Sequence, residues 1–258
     1  MTAPRPVIFE AHGVSKNFAG LVAVNNLSVR LHEGAVLGLI GPNGSGKTTF
    51  FNVVNGVYKT SGGRVVHRGA DITDWPSHRI AGHGITRTFQ NSRVLLNASS
   101  LENVMVGGHL HARAGLAGVL FSTPGARSRE AKVKARALEH LAFVGLTDYA
   151  DELARNMPYG AIKRLEIARA LQTEPDILML DEPAAGLNPR ESENLMKLVS
   201  ELHRAGKTIF IIEHNMRVVM GLCQRIVVID AGAKIAEGEP DQIRRDPRVR
   251  EAYLGKGA

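Results

Sequence analysis

The residues Gly41-Pro42-Asn43-Gly44-Ser45-Gly46-Lys47-Thr48-Thr49 satisfy the pattern G-x-x-x-x-G-K-[ST]. At ordinary residue frequencies, a match by chance somewhere in 258 residues has a probability of about one per cent. The chemistry such a run performs is phosphate binding. Backbone N–H groups of a glycine-rich turn, placed at a helix N-terminus, cradle phosphate oxygens. Lys47 would put a cation on the β- and γ-phosphates, and Thr48 would offer a hydroxyl to Mg²⁺. The same residues could serve only as a glycine turn, but the surrounding pattern argues against that.

A second candidate is "ILMLDEP" at 177–183, four apolar residues followed by two carboxylates. Asp181 would hold Mg²⁺, and Glu182 beside the γ-phosphate would be a general base or would orient the attacking water. Strands often end in acids, so the pair carries weight only together with the phosphate loop. His214 closes a similar run, "TIFIIEH", where an imidazole could hydrogen-bond a γ-phosphate and its attacking water. Gln90, in "RTFQNS", is uninformative by itself. The segment "MPYGAIKR" at 157–164 reads as a helix start aimed at an anion, with Pro158 expected at the first helical position and Gly160 allowing close backbone approach. It lacks the hydroxyl such a start usually offers.

These residues need elements to position them. "VIFEAHG" and "VAVNNLSVRLHEG", with Val22, Val24, Leu27, Val29 and Leu31 at mostly two-residue spacing, predict antiparallel strands. "AVLGLIG" (35–41) is a short apolar run ending in glycine, as expected of a buried parallel strand leading into the phosphate loop. "KTTFFNVVNGV" then has helical spacing and stops at Gly56. Beyond residue 86 helical signals dominate. Ser99 with Glu102 forms a capping box, and "REAKVKARALEHLAFVGL" and "RLEIARALQ" are amphipathic. Strands resume at 176–182, 207–214 and 225–232. A helix lies between the first two, with Asn188 as N-cap, Pro189 in its first turn and Gly206 at its stop. Alternating strands and helices imply a parallel sheet with right-handed crossovers. The expected fold class is α/β: a RecA-like P-loop core with a mostly parallel sheet, an N-terminal antiparallel β-subdomain and an inserted α-helical subdomain.

Composition is that of an ordinary folded chain, 44% hydrophobic and 22% charged. No apolar run approaches the roughly 18 residues of a membrane span, and "MTAPRPVIFEAHG" lacks a secretory apolar stretch. One cysteine, Cys223, excludes an internal disulfide and fits a reducing cytoplasm as a buried thiol. The net charge of +7 suggests an anionic partner. The basic runs at 127–136 and 244–250 read better as a solvated helix face and a solvated tail, without the aromatic interleaving of single-stranded nucleic-acid binders.

Together, "GPNGSGKTT", Gln90, "MPYGAIKRLEIARAL", "ILMLDEP", "AAGLNP" and "IIEH" resemble, in order and over essentially the whole chain, the ATP-binding subunits of ABC transporters. They match that family's phosphate loop, glutamine loop, signature, acidic strand, D-loop and histidine switch. The resemblance implies ATP and Mg²⁺ as cofactors, with Gly41–Thr49 on the phosphates and Phe18 stacked on adenine with Val24 beside the base. It places Thr48, Gln90 and Asp181 at the metal, and Lys47, Gln90, Glu182 and His214 at the reaction. Pro158, Tyr159 and Gly160 would address the ATP held by a second ABC ATPase subunit. It further implies one ABC ATPase domain over 1–258, with 1–85 and 166–258 as nucleotide-binding core and 86–165 as the helical subdomain that meets two integral membrane permease subunits.

"GLVAVNNLSV", "TRTFQNSRVL", the insertion around 107–130, "DEPAAGLNP" and the closing "REAYLG" resemble more narrowly the larger of two paired ATPases of branched-chain amino-acid importers. The family pattern implies a dimer of the chain with itself or with a related ATPase, and the narrower likeness implies a heterodimer, a solute-binding protein and a peripheral position on the cytoplasmic face of the membrane. Lipopolysaccharide exporters and urea or amide importers share much of it. A soluble ABC-type ATPase acting on DNA or ribosomes would carry two cassettes or a long coiled coil, and neither is present. A GTPase would show N-K-x-D, which is absent, and a kinase would not need the signature. Two positions depart from the family pattern: Asn188 stands where the D-loop ends in aspartate, and Met157-Pro158-Tyr159-Gly160-Ala161 stands for the common Leu-Ser-Gly-Gly-Gln.

Overall fold

A computed structural model of the chain describes residues 5–88, 94–108 and 124–254. Two compact units emerge, one of residues 1–87 and 176–258, the other of 88–175. The expected return to the core at 166 moves to 176. The reason is local: one uninterrupted helix, Tyr159–Leu171, runs through residue 166, and the chain leaves it only by the turn before Asp176.

In the first unit, β1 (Val7–Phe18) and β2 (Leu21–His32) pair antiparallel, and β4 (Gly62–His67) and β5 (Ala70–Asp71) extend the sheet in the order β2-β1-β4-β5. The mostly two-residue spacing along β2 is interrupted at Asn25–Asn26. Asn26 takes a positive φ of 49°, and burial shifts from Val24 to Leu27, Val29 and Leu31. Val22 is left 47% exposed. An inserted residue of this kind swaps which side chains face the core.

The second sheet has the order β10-β9-β3-β8-β7-β6, with β3 (Val36–Ile40), β6 (Ile85–Arg87), β7 (Ile177–Asp181), β8 (Thr208–Ile212) and β9 (Arg225–Asp230) parallel. β10 (Ala233–Gly238) closes one edge antiparallel. β3, β7 and β8 are buried along their whole length, which explains their unbroken apolar runs. β6 is only three residues long, too short for any pattern to reveal.

Helix α1 (Lys47–Val54) follows β3, α2 (Ser77–Gly82) precedes β6, and the helix Pro189–Arg204 crosses between β7 and β8. One apolar cluster joins Phe9, Leu27 and Leu31 of the antiparallel sheet, Phe50 and Phe51 of α1, and Met179, Phe210 and Ile212 of the parallel sheet. Phe51 meets Phe210 edge-on at 4.9 Å between ring centres.

The second unit carries α3 (Ser100–Gly107), α4 (Pro124–Phe143) and α5 (Tyr159–Leu171). The Ser99–Glu102 capping box opens α3 as expected. The basic run at 127–136 is a solvated face: Arg127, Arg129, Lys132, Lys134 and Arg136 are all exposed. The first unit ends with α6 (Pro189–Arg204), α7 (Met216–Leu222), α8 (Pro240–Arg245) and α9 (Pro247–Leu254). Among the described residues no helix is long and apolar enough to cross a membrane.

Candidate nucleotide-binding site

β8 lies between β3 and β7, and the register sets Leu39 and Asp181 level with Ile212. The loops leaving the carboxyl ends of these three strands therefore meet. That is where open α/β sheets bind ligands.

The loop after β3 turns tightly into α1. Gly46 caps the helix at φ 100°, and a Cβ there would strike the Ala23 carbonyl oxygen. Only glycine fits both demands. The first-turn N–H groups of α1 consequently open toward the loop. Lys47 is buried, and its Nζ donates to the carbonyl oxygens of Gly41 and Pro42, each at 2.8 Å. Burial lowers its pKa, opposed by the nearby carboxylates of Glu182 and Asp181. Thr48 is exposed at the start of α1, and Ser45 is buried beneath the loop.

Asp181 ends β7 almost wholly buried. The guanidinium of Arg87, from the last residue of β6, pairs with its Oδ2 and also donates to Asn52 Oδ1 on α1 at 2.7 Å. Sequence reasoning passed over Arg87; the only signal was its place in "TRTFQ". Glu182 follows at a positive φ of 46°, a conformation a non-glycine residue holds only when its surroundings enforce it. Its backbone N–H donates to Ile212 O at 2.9 Å. Its Oε2 lies 3.7 Å from His214 Nδ1, with Glu182 mostly buried and His214 half exposed. The structure thus brings Lys47, Asp181, Glu182 and His214 to one place.

Phe18 sits at the end of β1, 38% exposed, its ring edge-on to Tyr58 at 5.2 Å and 4.8 Å from Lys16 Nζ. It can stack a planar base. Val24 cannot stand beside that base: it is fully buried in the core cluster, because the break in alternation turns its side chain inward. Gln90 lies outside the described residues. Tyr253 on α9 is a further residue missed from sequence. Its hydroxyl is buried against the Gly41 backbone, and burial pushes the phenol up to about 12.

Within the second unit, Pro158 is the N-cap of α5 rather than its first helical residue, and no side chain caps the helix. Its extended ψ of 149° leaves its carbonyl to accept from Ala161 and Ile162 at 2.9 and 3.0 Å. Tyr159 is exposed beside it. Asn188 is the N-cap of α6 and forms a capping box with Glu191, so its departure from aspartate leaves this helix start fully capped.

Fold and site define a P-loop nucleotide-binding domain of the parallel α/β type. Comparison with known proteins narrows this. The family model for ABC transporters matches residues 24–185, and a model for branched-chain amino acid ATP-binding cassette transporters matches 233–258. The chain is 44% identical over 253 residues to the high-affinity branched-chain amino acid transport ATP-binding protein BraF of Pseudomonas aeruginosa, covering 98% of this chain and 99% of that protein. It is 32% identical over 249 residues to the lipopolysaccharide export system ATP-binding protein LptB of Haemophilus influenzae, covering 96% and 98%. A crystal structure of the ADP conformation of MJ1267, an ATP-binding cassette of an ABC transporter, superposes with a TM-score of 0.84 at 33% identity, covering 97% of this chain and all of that one. The chain belongs to the ABC transporter family, as one of its ATP-binding cassettes.

Proposed function

We propose that this chain is the ATP-hydrolysing subunit of a branched-chain amino-acid importer. The observation that carries the hydrolytic part is the meeting of Lys47, Asp181, Glu182 and His214 at the ends of three neighbouring parallel strands. Lys47 exchanges its bonds to the Gly41 and Pro42 carbonyls for the β- and γ-phosphate oxygens of ATP, while the loop and α1 N–H groups take the remaining oxygens. Glu182 orients the attacking water and accepts its proton, and His214 contacts the γ-phosphate from the other side. Phe18 stacks on adenine.

The hydroxyl of Thr48 and the carboxylate of Asp181 are hard oxygen donors suited to Mg²⁺. Among the described residues no group of three His, Cys, Asp or Glu is placed to hold a metal ion by itself, so phosphate and water would supply the remaining ligands of Mg²⁺. Mg²⁺, when bound there, neutralises charge developing on the phosphates. Gln90 is assigned to the same site from its place in the sequence.

Gly41–Thr49 of this chain holds one ATP against a second ABC ATPase, and the Pro158–Gly160 helix start addresses the ATP that the second subunit holds. The pair works beneath two membrane permeases, on the cytoplasmic face, with a solute-binding protein delivering the amino acid. The transported class rests on the 44% identity to BraF and the matching C-terminal segment; the lower identity to LptB makes lipid export the lesser reading.

The test is reconstitution of the full complex in liposomes with labelled leucine. Uptake that needs ATP, and is lost with Glu182→Gln while ATP binding persists, is expected. ATP hydrolysis without leucine uptake overturns the substrate; absence of ATP binding overturns the ATPase.

A further inference from the structure

Glu213 immediately precedes His214, and its carboxylate is completely buried. Each of its oxygens is engaged with main chain. Oε1 accepts from the N–H of Ala184 at 2.9 Å, and Oε2 accepts from the N–H groups of His214 and Asn215, both at 3.1 Å. The first of these amides belongs to the loop after β7, two residues beyond Glu182. The other two belong to the loop after β8 that carries His214. One carboxylate therefore ties together the two loops that hold the proposed hydrolytic pair.

A second link runs the same way, from the chain after β7 to β8: Glu182 N–H donates to Ile212 O. The two bonds flank Glu182, whose positive φ requires external support. The loop at 183–188 continues directly into the Asn188 cap of α6, so displacement of that loop reaches the His214 backbone through Glu213.

We propose that Glu213 is a positioning residue for ATP hydrolysis, holding Glu182 and His214 in register and coupling the 183–188 loop to His214. The proposal rests on the hydrolytic reading above. It does not concern nucleotide affinity, because Glu213 touches neither the phosphate loop nor Phe18 in any bond described.

Glu213→Gln tests it. The amide keeps the volume of the side chain but replaces one acceptor with a donor, facing N–H groups that need acceptors. Hydrogen exchange on the full-length chain reads the tie directly: the amides of Ala184, His214 and Asn215 should exchange faster, while those of β7 stay protected. In the assembled complex, turnover should fall at least tenfold with the affinity for ATP held within twofold, since small displacements of catalytic groups cost on the order of 10²-fold. Glu213→Asp, which keeps a charged acceptor, should recover part of the rate. Unchanged exchange at the three amides overturns the proposal whatever the activity. So does a turnover within twofold of wild type, or a parallel loss of affinity, rate and melting temperature. Failure of the hydrolytic reading itself shows separately, as a wild-type complex that does not hydrolyse ATP.

Discussion

Arg87 reaches from the end of β6 to the carboxylate of Asp181 at the end of β7, and holds Asn52 of α1 with its other nitrogen. Both members of the pair are buried, with side-chain exposures of 5% and 1%. The bond fastens the proposed Mg²⁺ carboxylate to the strand that precedes Gln90 in the chain. Replacing Arg87 by Leu leaves a carboxylate in a buried position without its guanidinium. We expect a loss of about 3–5 kcal/mol, read as a lowered urea midpoint at pH 7.

Lys47 ties the loop before α1 through the carbonyl oxygens of Gly41 and Pro42. Lys47→Met should weaken ATP binding by about 10- to 150-fold, the equivalent of one charge-assisted contact of about 1.5–3 kcal/mol. Titration with a fluorescent ATP analogue measures it. An affinity within twofold of wild type would remove Lys47 from the phosphates.

Pro158 occupies the N-cap of α5, the position where serine or aspartate is preferred. Pro158→Ser has two separable consequences. Its oxygen would cap α5, adding about 1 kcal/mol to stability, and its hydroxyl proton would remain free for a partner's γ-phosphate. We expect a higher melting temperature for the isolated chain and faster turnover of the assembled transporter, because that site lacks a charge-assisted bond worth about 1.5–3 kcal/mol. Stabilisation with both turnover and ATP affinity unchanged would show that the two sites of the dimer are not made unequal by this residue.

His67 is fully buried at the end of β4, its ring edge-on to His83 and 3.7 Å from Asp176 Oδ2. Burial, then His83 and Arg68, lower its pKa from 6.5 to about 4. The unfolded chain therefore binds a proton near pH 6.5 that the folded chain refuses until about pH 4. Stability is intact above pH 6.5 and falls as pH drops through that window, by about 2 kcal/mol at pH 5. Asp176, whose carboxyl is raised by burial, opposes this at the acidic end by taking its proton earlier in the folded state. Urea midpoints at pH 7.5 and 5 should show a steeper loss for wild type than for His67→Leu. Equal slopes would contradict the assignment.

The phosphate loop, the acidic strand end and the histidine were legible in the sequence because each depends on local chemistry. A glycine-rich turn can bring N–H groups to phosphate, and a buried parallel strand reads as a near-continuous apolar run. The caps at Ser99 and Asn188 were legible for the same reason, since a helix start needs its acceptor within three residues. Val24, set beside the base by family resemblance, is buried in the core instead, because the residue inserted at Asn25–Asn26 leaves it on the same face as Leu27, Val29 and Leu31.

Other features needed the tertiary structure. The tie from Glu213 to Ala184 spans 29 residues, and that from Arg87 to Asp181 spans 94. Neither leaves a periodic trace, because side chains from different strands meet only once strand order and register are set. What the sequence alone determined about this protein is the set of residues proposed to bind and cleave a nucleoside triphosphate. The tertiary structure decided which buried charges hold those residues in place, since an ion or carboxylate removed from water must find its partner wherever the folded backbone brings one.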